Sequence, residues 1–174
     1  MCSAWTDVTE TARLKLRPLA PADAARLAEL ADDWDVARQT GALPHPYGRA
    51  DADAFIARQA DAPDGERAFA VDRAGELAGV MGFHACFDGP WPEMGYWLGR
   101  SYWGAGLATE AARAGLGWAR GRGWRAVAAG HFTDNPASGR VLEKAGFLYT
   151  GVRVAYPSVA RGETADARRM IWLA

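Results

Sequence analysis

The chain has 174 residues and a mass of 18.7 kDa, which is enough for one domain of ordinary size and too little for two. Hydrophobic residues make up 49% of the sequence and charged residues 24%, a mixture that excludes a disordered or fibrous protein. The formal net charge of -1 argues against a protein whose main task is to neutralise a nucleic-acid backbone or an anionic membrane. A small or compact partner is therefore expected.

The cysteines and the apolar runs indicate a cytoplasmic protein. Cys2 stands near the start of the sequence and Cys86 in a strand-like stretch, and the two form neither a disulfide framework nor a CxxC motif. The longest apolar runs end before the ~20 residues that a helix needs to cross a bilayer. The first residues also lack the basic and apolar segments of a signal peptide. We therefore expect no membrane partner and no export.

The first half of the sequence predicts one strand, two helices and three antiparallel strands. Polar and apolar side chains alternate over 13–18, which predicts a strand that stops at a proline. Leucine spacing and early acidic residues predict helices over 21–30 and 49–58, with a Pro- and Gly-rich loop over 40–48 between them. Turn residues separate the three strands, which are predicted over 67–71, 77–83 and 93–98.

The second half alternates helices with strands. Small and apolar residues recur with a helical period from Gly104 to the glycine-rich turn at 121–123. A buried strand is predicted over 124–132, and Asn135 then opens a short helix that ends at Gly146. With no repeat or linker, this order predicts one mixed α/β unit. The last two strands are predicted over 147–156 and 164–172.

The segment 103–110 is the most informative part of the sequence, because it joins a strand to a helix through residues with little side-chain bulk. The first N–H groups of a helix have no internal partner and the macrodipole is positive there, so such a segment binds a phosphate or pyrophosphate without a lysine. A turn that only lets the helix pack against the strand is the structural alternative. No Gly-Lys-Ser/Thr of a Walker loop follows, and Thr109 stands where a dinucleotide fingerprint needs Gly or Ala.

Further motifs accompany this segment. A helix that begins with Asn135 and Ser138 ends in Glu-Lys-Ala-Gly-Phe over 143–147. Leu-Lys-Leu-Arg-Pro over 14–18 and Leu-Pro-His-Pro-Tyr over 43–47 stand earlier in the chain. In this order the motifs resemble those of the GNAT N-acetyltransferases, most closely of their RimJ/RimL-like branch. The resemblance extends from about Arg13 to Leu173.

The resemblance implies a single GNAT domain over 1–174, with a mixed, mostly antiparallel sheet and helices on both faces; we expect residues 1–11 to form a flexible N-terminus. It implies acetyl-CoA as the co-substrate, in a V-shaped opening between the strands at 93–98 and 124–132. No metal is expected, because the three histidines lack the spacing of metal ligands. Trp103 departs from the wider family, which has Gln or Arg there, but the backbone amides remain. The implied cofactor-binding residues are Tyr96, Trp97, Leu98, Trp103, Gly104, Ala105, Gly106, Leu107, Ala108, Thr109, Asn135 and Arg140.

Several of these residues also have a structural alternative. By the resemblance, backbone groups near Trp97 and Leu98 would pair with the pantetheine arm, and an amide near Tyr96 would form an oxyanion hole. Ordinary packing is the alternative for the two aromatic side chains. Asn135 has the alternative role of a helix N-cap, and Arg140 that of a solvated arginine.

Glu93 and Ser138 stand at the positions that the resemblance makes catalytic. An ammonium group with a pKa of ~8 to ~10.4 must lose its proton before it attacks, and Glu93 would remove that proton directly or through a water. Ser138 would protonate the departing thiolate. The structural alternatives are an exposed carboxylate at a strand edge for Glu93 and an ordinary first-turn residue for Ser138.

We therefore expect an enzyme that transfers an acetyl group from acetyl-CoA to a primary amine by direct attack in a ternary complex. The acceptor stays open between a protein N-terminus and a small-molecule amine, and Tyr47, Phe87 and Trp91 are expected to line its entrance. A non-catalytic module that binds or senses acyl-CoA is the alternative, and a nucleotide-binding domain is a third interpretation. Several of the eight tryptophans suit an interface, so a homodimer is also an expectation.

Overall fold

The computed structural model describes residues 8–63, 65–86 and 88–174, so the predictions for Cys2 and Phe87 lie outside the described residues. Within these ranges the helices are α1 (Ala24–Ala31), α2 (Trp34–Ala37), α3 (Arg49–Ala60), α4 (Leu107–Gly121) and α5 (Pro136–Ala145). The strands are β1 (Thr9–Glu10), β2 (Lys15–Pro18), β3 (Arg67–Arg73), β4 (Glu76–Ala85), β5 (Pro92–Leu98), β6 (Ala126–Phe132), β7 (Leu148–Ser158) and β8 (Glu163–Leu173).

The strands of the described chain form one eight-stranded sheet in the order β1-β2-β3-β4-β5-β6-β8-β7. Neighbouring strands run antiparallel except β5 and β6, which run parallel. Parallel neighbours need a crossover connection, and α4 lies in the connection between β5 and β6. The sequence prediction of a mixed, mostly antiparallel sheet is thereby confirmed.

Helices cover both faces of this sheet, as predicted. On one face α4 and α5 pack against alternate residues of the strands, in a core that includes Leu107, Leu142 and Met81. A side chain at Gly115 would collide with Met81, so glycine at this position lets α4 lie close to β4. On the other face α1 and α3 bury apolar side chains such as Leu27 against β3 and β4. Successive side chains of one strand point to opposite faces, so residues of the same strand can contribute to the site from either side of the sheet.

Residues 9–11, within the segment expected to be a flexible N-terminus, make specific contacts in the structure, and residues 1–7 lie outside the described residues. Thr9 and Glu10 pair with Leu16 and Lys15 of β2. Thr11 donates a hydrogen bond of 2.6 Å to the carboxylate of Glu110 in α4. These contacts fix residues 9–11, and both depend on partners that the local sequence does not reveal.

Most other predicted elements are observed with shifted ends. One addition is α2, in which Asp33 caps the helix by accepting a hydrogen bond of 2.8 Å from the N–H of Asp35. The predicted helix over 21–30 is a 3₁₀ turn, Pro21–Asp23, followed by α1. Among the described residues, no helix combines the length and the apolar character needed to span a membrane.

Candidate functional site

The strands β5 and β6 diverge directly after Glu93. Their ladder consists of one parallel bridge, between Glu93 and Ala128. Beyond it β5 stays paired with β4 as far as Leu98, and β6 stays paired with β8 as far as Phe132. We call the space between residues 94–98 of β5 and residues 129–132 of β6 the seam. The V-shaped opening predicted from the sequence is observed here, and the facing edges of the two strands have backbone groups that can bind an extended ligand.

The glycine loop, residues 103–106, leads from β5 into α4 at the open end of the seam. Gly104 and Gly106 have φ values of +75° and +77°, in the left-handed region that favours glycine. A Cβ at Gly104 would have no described atom within 4 Å, so the backbone is open to close approach. The first helical hydrogen bond runs from the N–H of Glu110 to the carbonyl of Gly106. The earlier N–H groups of the first turn are therefore available to donate hydrogen bonds to an anion. These residues therefore fit a pyrophosphate.

Arg13 supports the glycine loop, a role that the sequence did not predict. Its guanidinium donates to the carbonyl of Ala105 at 2.9 Å and to the carboxylate of Glu110 at 2.7 Å. Burial acts to raise the pKa of Glu110, but the hydrogen bonds from Thr11 and Arg13 outweigh it and leave that pKa below its usual value. A surface cavity of about 490 Å³ lies beside the loop, with Arg13 and Arg113 in its lining. Glu110, which also lines the cavity, offsets the charge of Arg13, and Arg113 donates a hydrogen bond of 2.6 Å to the carbonyl of Lys144.

Tyr96 and Ser138 meet on the face of the sheet that α4 and α5 cover. The phenolic oxygen of Tyr96 lies 2.8 Å from Ser138 Oγ and 3.3 Å from the carbonyl oxygen of Ser138. Asn135 Oδ1 accepts a hydrogen bond from the N–H of Ser138, so Asn135 has the N-cap role. Burial raises the pKa of Tyr96 to about 12, so its hydroxyl carries a proton at neutral pH. The pair thus places two hydroxyl groups beside the seam.

Glu93 is buried, with only 4% of its surface exposed, so its interpretation as an exposed strand-edge carboxylate is wrong. Arg169 of β8 donates to Glu93 Oε1 at 2.6 Å and to Oε2 at 3.1 Å. Burial acts to lower the pKa of Arg169, but the hydrogen bonds and the charge of Glu93 outweigh it and raise that pKa above its usual value. A bidentate pair of this kind fixes the plane of the carboxylate.

The same guanidinium holds the turn between β4 and β5. Arg169 Nη2 lies 2.8 Å from Asp88 Oδ1 and 3.1 Å from Cys86 Sγ. Cys86, Asp88 and Glu93 have possible metal-ligand atoms within 4.8 Å of one another. Arg169 already brings a positive charge to this place, which is where a metal ion would have to lie. Burial, followed by a hydrogen bond to Asp88, raises the pKa of Cys86 to about 11, so Cys86 is a thiol at neutral pH.

Glu93 and Tyr96 stand on opposite faces of β5, because side chains alternate along a strand and the two residues are three apart. Tyr96 packs against the core under α4 and α5, whereas Trp97 packs against the core under α1 and α3. Glu93 shares the face of Trp97. The seam therefore separates a carboxylate on one side from the hydroxyls of Tyr96 and Ser138 on the other.

The remaining predicted cofactor residues lie around β5 and α5. The side chain of Leu98 is buried in the core, and its carbonyl accepts a hydrogen bond of 2.8 Å from the indole N–H of Trp103. The ring of Trp103 is exposed, and Leu107 anchors the first turn of α4 in the core. Arg140 is exposed on α5. The cofactor roles of these side chains stay predictions.

Two of the three predicted acceptor residues, Trp91 and Tyr47, lie within the described residues. Trp91 is 46% exposed, just before β5 and two residues from Glu93. Tyr47 is only 5% exposed and belongs to the core under α1 and α3, where burial raises its pKa to about 12. Packing is therefore the observed role of Tyr47, because its loop folds inward against α1 and α3. Phe87 lies outside the described residues.

Comparison with known proteins agrees with this architecture. A family model described as an acetyltransferase (GNAT) domain matches residues 13–148. No curated protein matches the sequence significantly. Among solved structures, RimJ of Mycobacterium smegmatis in complex with a CoA disulfide is 21% identical, with a TM-score of 0.83, over 98% of this chain and 88% of that one.

Two further solved structures share the fold. RimL, the ribosomal L7/L12 alpha-N-protein acetyltransferase in complex with coenzyme A, is 18% identical over 96% of this chain and 98% of that one, with a TM-score of 0.83. A chimera of the spermidine N-acetyltransferase SpeG from Vibrio cholerae and hSSAT is 18% identical over 93% and 96%, with a TM-score of 0.75. At these identities the likeness shows the fold alone, and the family model carries the assignment. The chain belongs to the GNAT family of acetyltransferases, enzymes that use acetyl-CoA as the acetyl donor.

Proposed function

We propose that the protein transfers the acetyl group of acetyl-CoA to a primary amine by direct attack in a ternary complex. The observation that carries the proposal is the seam, which begins at Glu93 and separates that carboxylate from the hydroxyls of Tyr96 and Ser138. Acetyl-CoA supplies an activated thioester. A thioester in the seam would have on one face a base that takes a proton from the ammonium group and on the other an acid that protonates the thiolate.

Three groups of this chain would hold acetyl-CoA. The free N–H groups in the first turn of α4 suit the pyrophosphate. Backbone groups of β5 from Tyr96 to Leu98 suit the pantetheine arm, which would lie along the strand edge as an added strand does. Arg113, whose guanidinium donates to the carbonyl of Lys144, lines the cavity beside the glycine loop and brings a positive charge toward the remaining phosphate, whereas Glu110 offsets the charge of Arg13.

Glu93 on one face of the seam, and Ser138 with Tyr96 on the other, would carry the proton transfers of the reaction. Glu93 would take a proton from the ammonium group of the acceptor, directly or through a water. The amine nitrogen then bonds to the acetyl carbon while the carbon–sulfur bond breaks, and the nitrogen gives up a second proton to solvent as the amide forms. Ser138 would give its proton to the departing thiolate, and the phenol of Tyr96 stands 2.8 Å away to replace it. Before the next turnover, solvent would accept the proton held by Glu93 and return one proton to the Tyr96–Ser138 pair.

A cationic amine suits the acceptor side of the seam. Asp88 and Glu93 contribute two carboxylates and Arg169 one guanidinium, so this cluster has one negative charge in excess. An ammonium group is attracted to such a place before it loses its proton. Both a protein N-terminus and a polyamine meet this condition. The cytoplasmic location and the homodimer stay predictions from the sequence.

The proposal is tested by the release of free thiol from acetyl-CoA with three acceptors: a peptide with a free N-terminus, spermidine and a simple monoamine. We expect thiol release that depends on at least one amine, with one acetyl group found on that amine by mass spectrometry for each thiol released. Binding of acetyl-CoA without amine-dependent release would instead support a non-catalytic acyl-CoA module. Nucleotide binding as tight as coenzyme A binding would favour a nucleotide-binding domain.

A further inference from the structure

Glu93 and its partner Arg169 stand on strands that are not neighbours. Glu93 is on β5 and Arg169 on β8, and β6 lies between them. Neighbouring strands are about 4.8 Å apart, so the two backbones are separated by about 10 Å. An arginine side chain can cover this distance only if nothing on the intervening strand blocks its path.

Gly130 of β6 provides that path. It pairs directly with Arg169 across the sheet. A Cβ at this position would lie 2.8 Å from Arg169 Nη1, which is closer than real Cβ contacts, and 3.2 Å from the carbonyl oxygen of Arg168. The absence of a side chain at Gly130 thus lets the guanidinium cross β6 and reach Glu93 at the apex of the seam.

We propose that Arg169 is a positioning residue for acetyl transfer: it crosses β6 over Gly130 and holds both the carboxylate of Glu93 and the turn at Asp88 in the geometry that the acceptor requires. This inference rests on the proposed function, because it acts through Glu93 as the base. The two oxygens of Glu93 each accept one hydrogen bond from Arg169, so the carboxylate cannot rotate freely. Asp88 shares Nη2 of the same guanidinium, which ties the β4–β5 turn to the base.

A purely structural ion pair is the competing explanation, and Arg17 offers a matched control. Arg17 also bridges two carboxylates, those of Asp23 and Asp72, at 2.8 Å and 2.9 Å. It lies on β2, three strands away from β5 in the sheet order. Loss of Arg17 should lower the melting temperature without changing turnover. A structural role for Arg169 predicts the same behaviour.

The experiment measures kcat and KM of Arg169→Lys, Arg169→Met and Gly130→Ala, with Arg17→Met and Gly117→Ala as controls. Gly130→Ala displaces the guanidinium without altering Arg169 or Glu93, so it remains informative if Arg169→Met fails to fold with its unpaired buried carboxylate. Gly117 is exposed on α4, and a Cβ there meets no described atom within 4 Å. A catalytic group displaced by about 1 Å costs up to ~100-fold.

We expect Gly130→Ala and Arg169→Lys to lower kcat about 10- to 100-fold. The KM for acetyl-CoA should stay unchanged, and lysine, which keeps the charge, should restore part of the activity that methionine loses. Both controls should keep wild-type kcat. Wild-type kcat in folded Gly130→Ala and Arg169→Lys would overturn the role of Arg169 while leaving the proposed function intact. If the wild-type enzyme acetylates none of the amines, the proposed function itself fails and this inference with it.

Discussion

The phenolic oxygen of Tyr96 lies 2.8 Å from the hydroxyl of Ser138, and the two residues come from a strand and a helix that are 42 residues apart in sequence. Either hydroxyl can donate in this bond. When Ser138 gives its proton away, Tyr96 is placed to supply another through this hydrogen bond, since the phenol, with its pKa raised to about 12, is protonated at neutral pH. The acid of the proposed reaction is therefore a pair of hydroxyls.

Ser138→Ala should lower kcat while the Kd for acetyl-CoA stays nearly unchanged, because a leaving-group acid acts only in the transition state. We expect a loss of about 10²- to 10⁴-fold, the usual contribution of general acid catalysis. Tyr96→Phe should have a smaller effect, and the double variant should lose less than the product of both, since the residues share one bond. Steady-state kinetics with a verified acceptor tests this.

Ser158→Ala, which removes a hydroxyl that donates to the carbonyl of Thr40, is the control. Unchanged turnover in Ser138→Ala would return Ser138 to the role of a first-turn residue.

Glu93→Gln should reduce turnover about 10²- to 10⁴-fold at neutral pH, with acetyl-CoA binding preserved, because the base that removes the ammonium proton is lost. The defect should shrink as the pH rises, since more of the acceptor is then already neutral. Two neighbours of Glu93 should not contribute to the profile in the neutral range: burial raises the pKa of Cys86 to about 11 and that of Tyr156 to about 12, so both stay protonated there. The measurement is a pair of pH–rate profiles with chemistry rate-limiting. Parallel profiles up to the pKa of the amine would contradict the role of Glu93 as base.

Gly106→Val should abolish most of the thermal stabilisation by acetyl-CoA. At 100 times its Kd a ligand adds about 2.7 kcal/mol to the free energy of unfolding. Valine at a φ of +77° is strained and also blocks the approach of a phosphate to the loop. Melting curves with and without acetyl-CoA measure the shift, with Gly117→Ala as the control for α4. A full shift in a folded Gly106→Val variant would place the pyrophosphate site elsewhere.

Asp23→Asn should destabilise the protein at neutral pH but not at low pH. Burial acts to raise the pKa of Asp23, but hydrogen bonds from Arg17 and from the N–H of Ala20 outweigh it and hold that pKa below its usual value. The unfolded chain then binds more protons than the folded chain just below the unfolded pKa of about 3.9, so stability rises with pH through this range. A hydrogen bond to a charged group contributes about 1.5–3 kcal/mol. Denaturant unfolding of both proteins from neutral pH to below pH ~3 should show the difference fade. A constant difference would contradict this assignment.

Local signals in the sequence predicted the parts of the site that local structure builds. The glycine loop follows from Gly104 and Gly106, whose positive φ values need glycine, and α5 follows from the Asn135 cap. The sheet and its V-shaped opening followed from the family resemblance. Each of these depends on neighbours in sequence or on a motif that the chain carries intact.

The burial of Glu93 could not be predicted in this way, because its partner Arg169 is 76 residues further along the chain. The same holds for Arg13 and Glu110, which are 97 residues apart. Tyr47 was expected at the entrance of the acceptor, but tertiary packing under α1 and α3 determines its position. Contacts between residues so far apart in sequence are set by the fold as a whole, so no pattern within a short stretch of sequence reveals them.

The single bridge between β5 and β6 divides the sheet into two panels. One panel holds β1 to β5 and the other β6, β8 and β7. Within the described residues, the backbone ladder between the panels is the Glu93–Ala128 bridge, and the ion pair with Arg169 spans the same point. Glu93 thus stands at the point where the two panels meet and the V opens. A ligand bound between the panels would lie next to the residue that joins them. A change at Glu93 would therefore affect both the proposed base and the contact between the two parts of the sheet.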